Sequence, residues 1–148
     1  MDAADVVLKH WEDGREAGRQ SEEQRAKLTN MLLVISAAGL GLLSQQGLSR
    51  SMLIVTIALT VVGLYGVIAS EKLYERFHWH DEQAWELSEE LETLVPGLDL
   101  KQLVARGRNR HREKYKYISR VRLHWIWTGL HLGIAAAGLV LTAVITFA

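Results

Sequence analysis

The sequence predicts an all-α integral membrane protein with three transmembrane helices and an antiparallel cytoplasmic helical hairpin between the second and the third. Three observations lead to this fold. No charged residue occurs in 31–44 or in 51–70, and Asp, Glu, Lys and Arg are all absent from 123–148. A helix needs about 20 mainly apolar residues to cross about 30 Å of hydrocarbon. Only one proline, Pro96, interrupts the chain, so long helices are expected.

Residues 1–20 are expected to form a polar cytoplasmic N-terminal arm. Val7 and Trp11 lie four residues apart, so the arm is either a short amphipathic helix anchored by Trp11 or a frayed, solvated segment. Ser21 followed by Gln24 matches a capping box. This pattern predicts that the next helix begins at Ser21.

Residues 21–70 are predicted to form a transmembrane helical hairpin. Its first helix continues through the first charge-free stretch to about Ser44, which is long enough to span a membrane if residues 28–30 form an interfacial start. A short polar turn at 45–50 then joins it to the second span. The third transmembrane helix is 123–148.

Residues 71–122 are predicted to form the cytoplasmic hairpin. No helix breaker follows the second span until Pro96, so its helix should continue into water. Asp99 is expected to cap a second helix that extends to Arg122. Apolar residues recur along the first arm at heptad-like spacing, with one polar layer at His80. They are Leu73, Phe77, Ala84, Leu87, Leu91 and Leu94.

The two arms of this hairpin carry opposite charges. Residues 71–99 contain nine acidic and two basic residues, a net charge of −7, and 100–122 contain nine basic and one acidic residue, a net charge of +8. This complementarity favours an antiparallel pairing of the arms. Each exposed ion pair contributes only about 0.2–1 kcal/mol, so the charges should set alignment more than stability.

The distribution of basic residues predicts the orientation. Only Arg50 lies in the turn between the first two spans, whereas five basic residues precede the first span and eight, from Arg106 to Arg122, precede the third. The positive-inside rule then places the N-terminus and the stalk (71–122) in the cytoplasm, with the spans expected in the plasma (inner) membrane. Trp125 and Trp127 fit an interfacial aromatic belt.

His131 lies about two turns into the third span, seven residues after His124 and on the same helix face. A polar residue at membrane depth is a functional candidate, and we take His131 and His124 as such candidates. Two roles remain open for His131. It either lines a wet cavity or forms a hydrogen bond within the helix bundle.

Small residues four apart indicate close packing of the spans. On the third span they are Gly129, Gly133 and Ala137, and on the first span Ala37 and Gly41. The partner helix is expected either in the same subunit or in another copy.

Alternating basic residues precede the third span, namely Arg106, Arg108, Arg110 and Arg112. We expect them, with Trp125 and Trp127, to contact lipid or a partner, and nucleic acid is not expected because this spacing winds around a helix rather than forming one stripe. His78 and Glu82 are spaced as two metal ligands would be, but a solvated surface explains them as well and no third ligand is placed.

No cofactor or metal is predicted. The chain has no cysteine, which excludes disulfides and thiolate chemistry. Ser36 and Ser44 have no base on the same element, and no phosphate-binding loop is visible. The sequence therefore gives no indication of an enzyme.

The two charge-free stretches 31–44 and 51–70, bounded by long cytoplasmic helices, resemble the SLATT class of small bacterial effectors. Leu73-Tyr74-Glu75-Arg76 after the second span and the basic run before the third contribute to the resemblance. The third span departs from the two-span pattern of that class. The resemblance implies a membrane-perturbing or pore-forming effector in nucleotide-signalled immunity.

The expected function is therefore that of an oligomeric membrane effector or channel-like protein acting on membrane integrity or ion permeation. The alternative is a membrane-anchored adaptor whose cytoplasmic hairpin docks a soluble partner. Membrane lipid, further copies of the chain and a soluble cytoplasmic protein are the candidate partners.

Overall fold

The computed structural model describes residues 2–147, and within this range the chain forms α-helices without any strand. The helices are α1 (Ala3–Gln46), α2 (Leu53–Leu94), α3 (Leu100–Lys114) and α4 (Leu123–Phe147). Helices α1, α2 and α4 are each long and apolar enough to cross a membrane. The predicted all-α class and the three long apolar helices are confirmed.

The turns lie close to their predicted positions. Helix α1 ends at Gln46, and the N–H of Gly47 donates to the carbonyl of Leu43 at 3.0 Å. A 3-10 turn at Arg50–Met52 then leads into α2. Asp99 caps α3, since its side chain accepts a hydrogen bond from the N–H of Gln102 at 2.7 Å, as predicted.

The expected helix start at Ser21 is wrong. Helix α1 begins at Ala3, and the hydroxyl of Ser21 donates to the carbonyl of Ala17 at 3.1 Å inside the helix. The N-terminal arm is therefore neither frayed nor a separate short helix. The cost of Gly18 in a helix, up to about 1 kcal/mol relative to Ala, is offset by packing, because a Cβ at Gly18 would lie 3.6 Å from the ring of Phe77.

The chain divides into two compact units. One unit, which we call the polar unit, combines Met1–Glu22 with Tyr74–Arg122. The other, which we call the three-helix unit, combines Glu23–Leu73 with Leu123–Ala148. The assignment of the first to the cytoplasm and of the second to the membrane stays a prediction.

In the polar unit, the heptad-like face of α2 packs partly against α1. Phe77 and His80 lie against Gly18, and Arg15 forms an ion pair with Asp81 at 2.8 Å. Farther along the same face of α2, Ala84 and Leu91 are buried. The apolar face of α2 that was predicted to pack against the second hairpin arm therefore also packs against the N-terminal part of α1. Glycines in that part of α1 allow the two backbones to approach each other.

The prediction that the second arm is helical as far as Arg122 is wrong. Helix α3 ends at Lys114, Tyr115 leaves the helical conformation (φ −122°, ψ 53°), and a 3-10 turn follows at Ile118–Arg120. No residue of α3 is buried, so packing does not override intrinsic propensity. The aromatic and β-branched residues after Lys114 are poor helix formers.

The predicted attraction between the oppositely charged arms is seen in one ion pair and stays a prediction for the rest of the basic arm. Lys101 pairs with Glu89, with Nζ and Oε1 2.9 Å apart. This hydrogen bond and the charge of Glu89 raise the pKa of Lys101 above its usual value. Within residues 2–147 the arginines between 106 and 112 form no ion pair and are exposed. The antiparallel arrangement of the arms stays a prediction.

Candidate functional site

The candidate site is the interior of the three-helix unit, where polar side chains lie between apolar helices. Helix α1 contributes Thr29 and Ser36, seven residues apart on one face and both buried. Leu32 and Leu43 continue this inner face of α1. The same helix exposes apolar side chains elsewhere, including Val34 with 70 % of its surface accessible. A water-soluble helix would instead expose polar side chains on its outer face.

Helices α2 and α4 approach each other closely at two points. A Cβ at Gly63 would collide with the backbone of Ala135, and a Cβ at Gly138 would lie 2.5 Å from the amide nitrogen of Thr60. Such contacts exclude any larger side chain at the two glycines. Close backbone approach is how helices associate where lipid removes the hydrophobic driving force between them.

His131 lies where α1, α2 and α4 meet. Its side chain is fully buried, and its Nε2 lies 3.1 Å from the hydroxyl oxygen of Thr29 on α1. On α2, a Cβ at Gly66 would collide with the imidazole ring. A neutral imidazole has one donor and one acceptor nitrogen, and a hydroxyl can take either role. Thr29 therefore satisfies Nε2 in either tautomer.

A second polar contact joins α2 and α4 toward the other end of α4. The hydroxyl of Thr142 donates to that of Thr56 at 2.8 Å and shares its proton with the carbonyl of Gly138 at the same distance. Thr56 is fully buried. Small hydroxyl side chains thus allow a close α2–α4 packing while their polar atoms remain hydrogen-bonded.

Charged residues gather at the start of α4. The hydroxyl of Thr128 donates to Oε1 of Glu71 at 2.7 Å, and Nε2 of His124 lies 3.5 Å from the same oxygen. Nearby on the chain, the ring of Trp127 lies 5.9 Å from the guanidinium carbon of Arg25, a buried residue of α1. Glu71 and Arg25 both lie outside the charge-free stretches, which agrees with an interfacial position.

The two histidine candidates do not form one site. His124 contacts Glu71, whereas His131 contacts Thr29 and lies against Gly66. His131 is enclosed by helices of its own chain, where Nε2 has Thr29 as a partner and Nδ1 has none among residues 2–147. Whether it also borders a wet cavity stays a prediction. The two residues share a helix face but not a set of neighbours.

The predicted small-residue ridge does not pack inside the chain. A Cβ at Gly129, Gly133 or Gly41 would meet no atom within 4 Å, and Ala37 and Ala137 are exposed. Contact with another copy of the chain stays a prediction. The ridge on α4 instead forms part of an open groove of about 400 Å³, which we call the outer groove. It is lined by Leu40, Leu59, Gly129, Leu130, Gly133, Ile134 and Ala137.

The glycines that make close contacts were not found from the sequence. Gly63 and Gly66 are three residues apart, as are Ala135 and Gly138, whereas the predicted ridge has a spacing of four. A spacing of three also places residues on one helix face. The feature of the sequence that could have indicated these contacts is that both pairs of small residues lie in charge-free stretches.

The aromatic residues expected at the interface differ in their environments. Trp125 is exposed, with 66 % of its surface accessible, and fits contact with lipid. Trp127 packs against Arg25 inside the unit.

His78, one of the two residues with metal-ligand spacing, has its ring edge-on to Tyr74 at 4.4 Å. Residues 2–147 contain no group of three or more His, Asp or Glu side chains suited to a metal ion.

No known protein family, curated protein or solved structure matches this chain.

Proposed function

We propose that the protein is an integral membrane protein that self-associates through the outer groove and acts on membrane integrity or ion permeation. One observation carries the proposal. Close contacts at Gly63, Gly66 and Gly138 seal the interior of the three-helix unit, while Gly129 and Gly133 face outward. A permeation path would therefore form between copies rather than through one chain.

The surface of the three-helix unit supports insertion into a membrane. Large apolar residues are exposed along all three helices, and contiguous apolar patches of this kind are rare on soluble monomers. They include Met31, Val34, Ile35, Leu42, Ile54, Val61, Leu64, Ile68, Leu132, Leu139 and Val140. A bilayer would cover this surface.

Orientation is tested with single cysteines, since the natural chain has none. A cysteine in place of Ser49 should react with an impermeant maleimide added outside the cell, and one in place of Gly97 should react only after lysis. Labelling of the Gly97→Cys protein in intact cells would contradict the cytoplasmic placement of the stalk.

Self-association and activity are tested together. The purified protein should run in detergent as an assembly of several copies and release ions from liposomes. Gly133→Leu should abolish both effects, whereas Leu132→Phe, which adds bulk at an exposed position of the same helix outside the groove, should retain them. A monomer, or an assembly without permeation, would contradict the proposal.

One observation favours the adaptor function instead. The polar unit has an open groove of about 280 Å³ that combines indole rings, aliphatic side chains and the Arg15–Asp81 pair. It is lined by Trp11, Arg15, Asp81, Ala84, Trp85, Ser88, Leu100 and Val104. If this groove docks a soluble protein, Trp85→Ala should remove that protein from the purified complex without changing the copy number of the membrane protein.

A further inference from the structure

The segment between α3 and α4, residues 115–122, has the composition of a membrane-surface anchor, and we call it the junction segment. Each of its residues is exposed. Its apolar side chains are far from buried, with accessibilities of 84 % for Tyr117, 75 % for Ile118 and 58 % for Val121. It contains three basic residues and no acidic one.

The backbone of the junction segment restricts where it can lie. It is not a regular helix, since its hydrogen bonds form a local turn in which Ser119 donates to Tyr115 and Val121 donates to Ile118. Its remaining N–H and C=O groups therefore need water or headgroups as partners. Irregular backbone exposed to lipid is not tolerated in the hydrocarbon core, so this segment belongs at the interface or in water.

Covalent connection places the segment next to α4. Leu123, the first residue of α4, follows Arg122 directly. Eight extended residues span at most about 28 Å, and the 3-10 turn shortens this distance. Each interfacial layer of a bilayer is about 5–8 Å thick, and a surface charge acts over a Debye length of about 8 Å beyond it. Arg120 and Arg122 therefore fall within the field of the surface from which α4 enters.

We propose that the junction segment binds the anionic lipid headgroups of the leaflet from which α4 enters the membrane. Lys116, Arg120 and Arg122 meet lipid phosphates and carboxylates, because none of them has an ion-pair partner within residues 2–147. The apolar parts of the Tyr117 and Ile118 side chains enter the same interface. The inference rests on the proposed membrane insertion.

A bilayer fits this segment better than a nucleic acid does. Phosphate groups of either partner would attract the three basic residues. The aliphatic side chains of Ile118 and Val121 alternate with those charges, and a nucleic-acid backbone offers no apolar layer to cover them. A bilayer interface presents charge and hydrocarbon within a few ångströms of each other.

The test uses the full-length protein in lipid nanodiscs, with an environment-sensitive fluorophore on a Ser119→Cys side chain. Ser119 is exposed, and the chain contains no other cysteine. The fluorophore should report an apolar environment in discs of phosphatidylcholine mixed with phosphatidylserine, and less so in phosphatidylcholine alone. High salt should reduce the difference.

The basic residues are tested by a matched pair of variants. Arg120→Gln with Arg122→Gln should lower the ratio of surface-bound to free segment roughly twenty- to thirtyfold in anionic discs, since each basic residue near such a surface contributes about a fivefold factor. Arg120→Lys with Arg122→Lys retains the charge and should behave like the parent. Both arginines are exposed, so neither pair of changes disturbs a packed core.

Equal fluorescence in neutral and anionic discs would overturn the inference while leaving membrane insertion intact. A response to an added RNA oligonucleotide but not to phosphatidylserine would overturn it in favour of nucleic-acid binding. A protein that does not enter nanodiscs and remains in the soluble fraction would contradict both this inference and the proposed function.

Discussion

The two units of the chain hold their helices together in different ways. In the three-helix unit, backbones meet directly at Gly63 and Gly138, and the buried side chains include Thr29, Thr56 and His131. In the polar unit, Ala84 and Leu91 provide the buried apolar surface, and α3 buries no residue. The three-helix unit combines buried aliphatic side chains with close backbone contacts and buried hydroxyl groups, whereas the polar unit buries few side chains and adds surface ion pairs.

This difference bears on what each surface can do. A closely packed interior leaves the three-helix unit with an apolar exterior, which suits contact with lipid or with another copy. The sparse packing of the polar unit leaves open grooves and exposed basic residues, which suits contact with a partner or with headgroups.

Gly66→Leu should prevent the three-helix unit from packing. A side chain at this position would collide with the imidazole of His131, which is fully enclosed and cannot move aside. We expect a loss of about 3 kcal/mol or more, or no folded protein, because overpacking of a filled interior is among the costly changes. Thermal unfolding in detergent measures it. Gly41→Leu, with nothing within 4 Å of its Cβ, is the control and should unfold like the parent.

Leu91→Asp should destabilise the polar unit by about 2 kcal/mol or more, because it places a carboxylate at a buried position without a partner. Leu91 retains 7 % of its surface accessible. Hydrogen exchange of the backbone amides in 74–94 should become faster, which would locate the loss of stability in this part of α2. Glu90→Lys, at an exposed neighbouring position, should change exchange little. Equal tolerance of both changes would mean that α2 is not packed along this face.

His131→Leu should cost about 1 kcal/mol, since it removes the contact with Thr29, and hydrogen bonds between membrane helices contribute about that much. Thr29→Val should cost a similar amount, and the double variant should cost less than the sum of the two. Assembly and ion release should be unchanged. A conductance that loses a pH dependence in the His131→Leu protein would instead assign the residue to a wet pathway.

Glu89→Gln should have the smallest effect. It removes the nearest negative charge that raises the pKa of Lys101 and leaves a neutral amide oxygen as the hydrogen-bond acceptor, so this pKa should fall toward its usual value while Glu92 and Glu86 still act on it. The raised pKa means that the pair stabilises the folded protein at neutral pH and loses its effect as the pH rises through that pKa. An NMR titration of the Lys101 side chain measures the change. An unaltered pKa would show that the pair does not form in solution.

The sequence was sufficient for the features that depend on length and composition. Charge-free stretches predicted the three long apolar helices, and Asp99 with Gln102 predicted the start of α3. It was insufficient where packing competes with local propensity. Ser21 matched a capping box, yet contacts of Gly18 with Phe77 accompany a helix that continues past it. Helix α3 ends before Tyr115, because no residue of that arm is buried and packing therefore does not extend the helix.

The interior of the three-helix unit shows a similar limit. His131 was recognisable as a candidate because it is polar at membrane depth, but its contacts with Thr29 and Gly66 come from two other helices. Which face of α4 turns inward depends on those helices. The spacing of small residues indicated Gly129 and Gly133, whereas Ala135 and Gly138 make the close contacts with α2.

The claim that one face of α4 seals the subunit while the opposite face meets another copy is tested most directly by disulfide cross-linking in membranes. Gly133 lies in the outer groove, and Leu132 is exposed at nearly the same depth about 100° around the helix. After mild oxidation, the Gly133→Cys protein should form covalent dimers, and the Leu132→Cys protein should remain monomeric. Dimers of Leu132→Cys with none of Gly133→Cys would contradict the account.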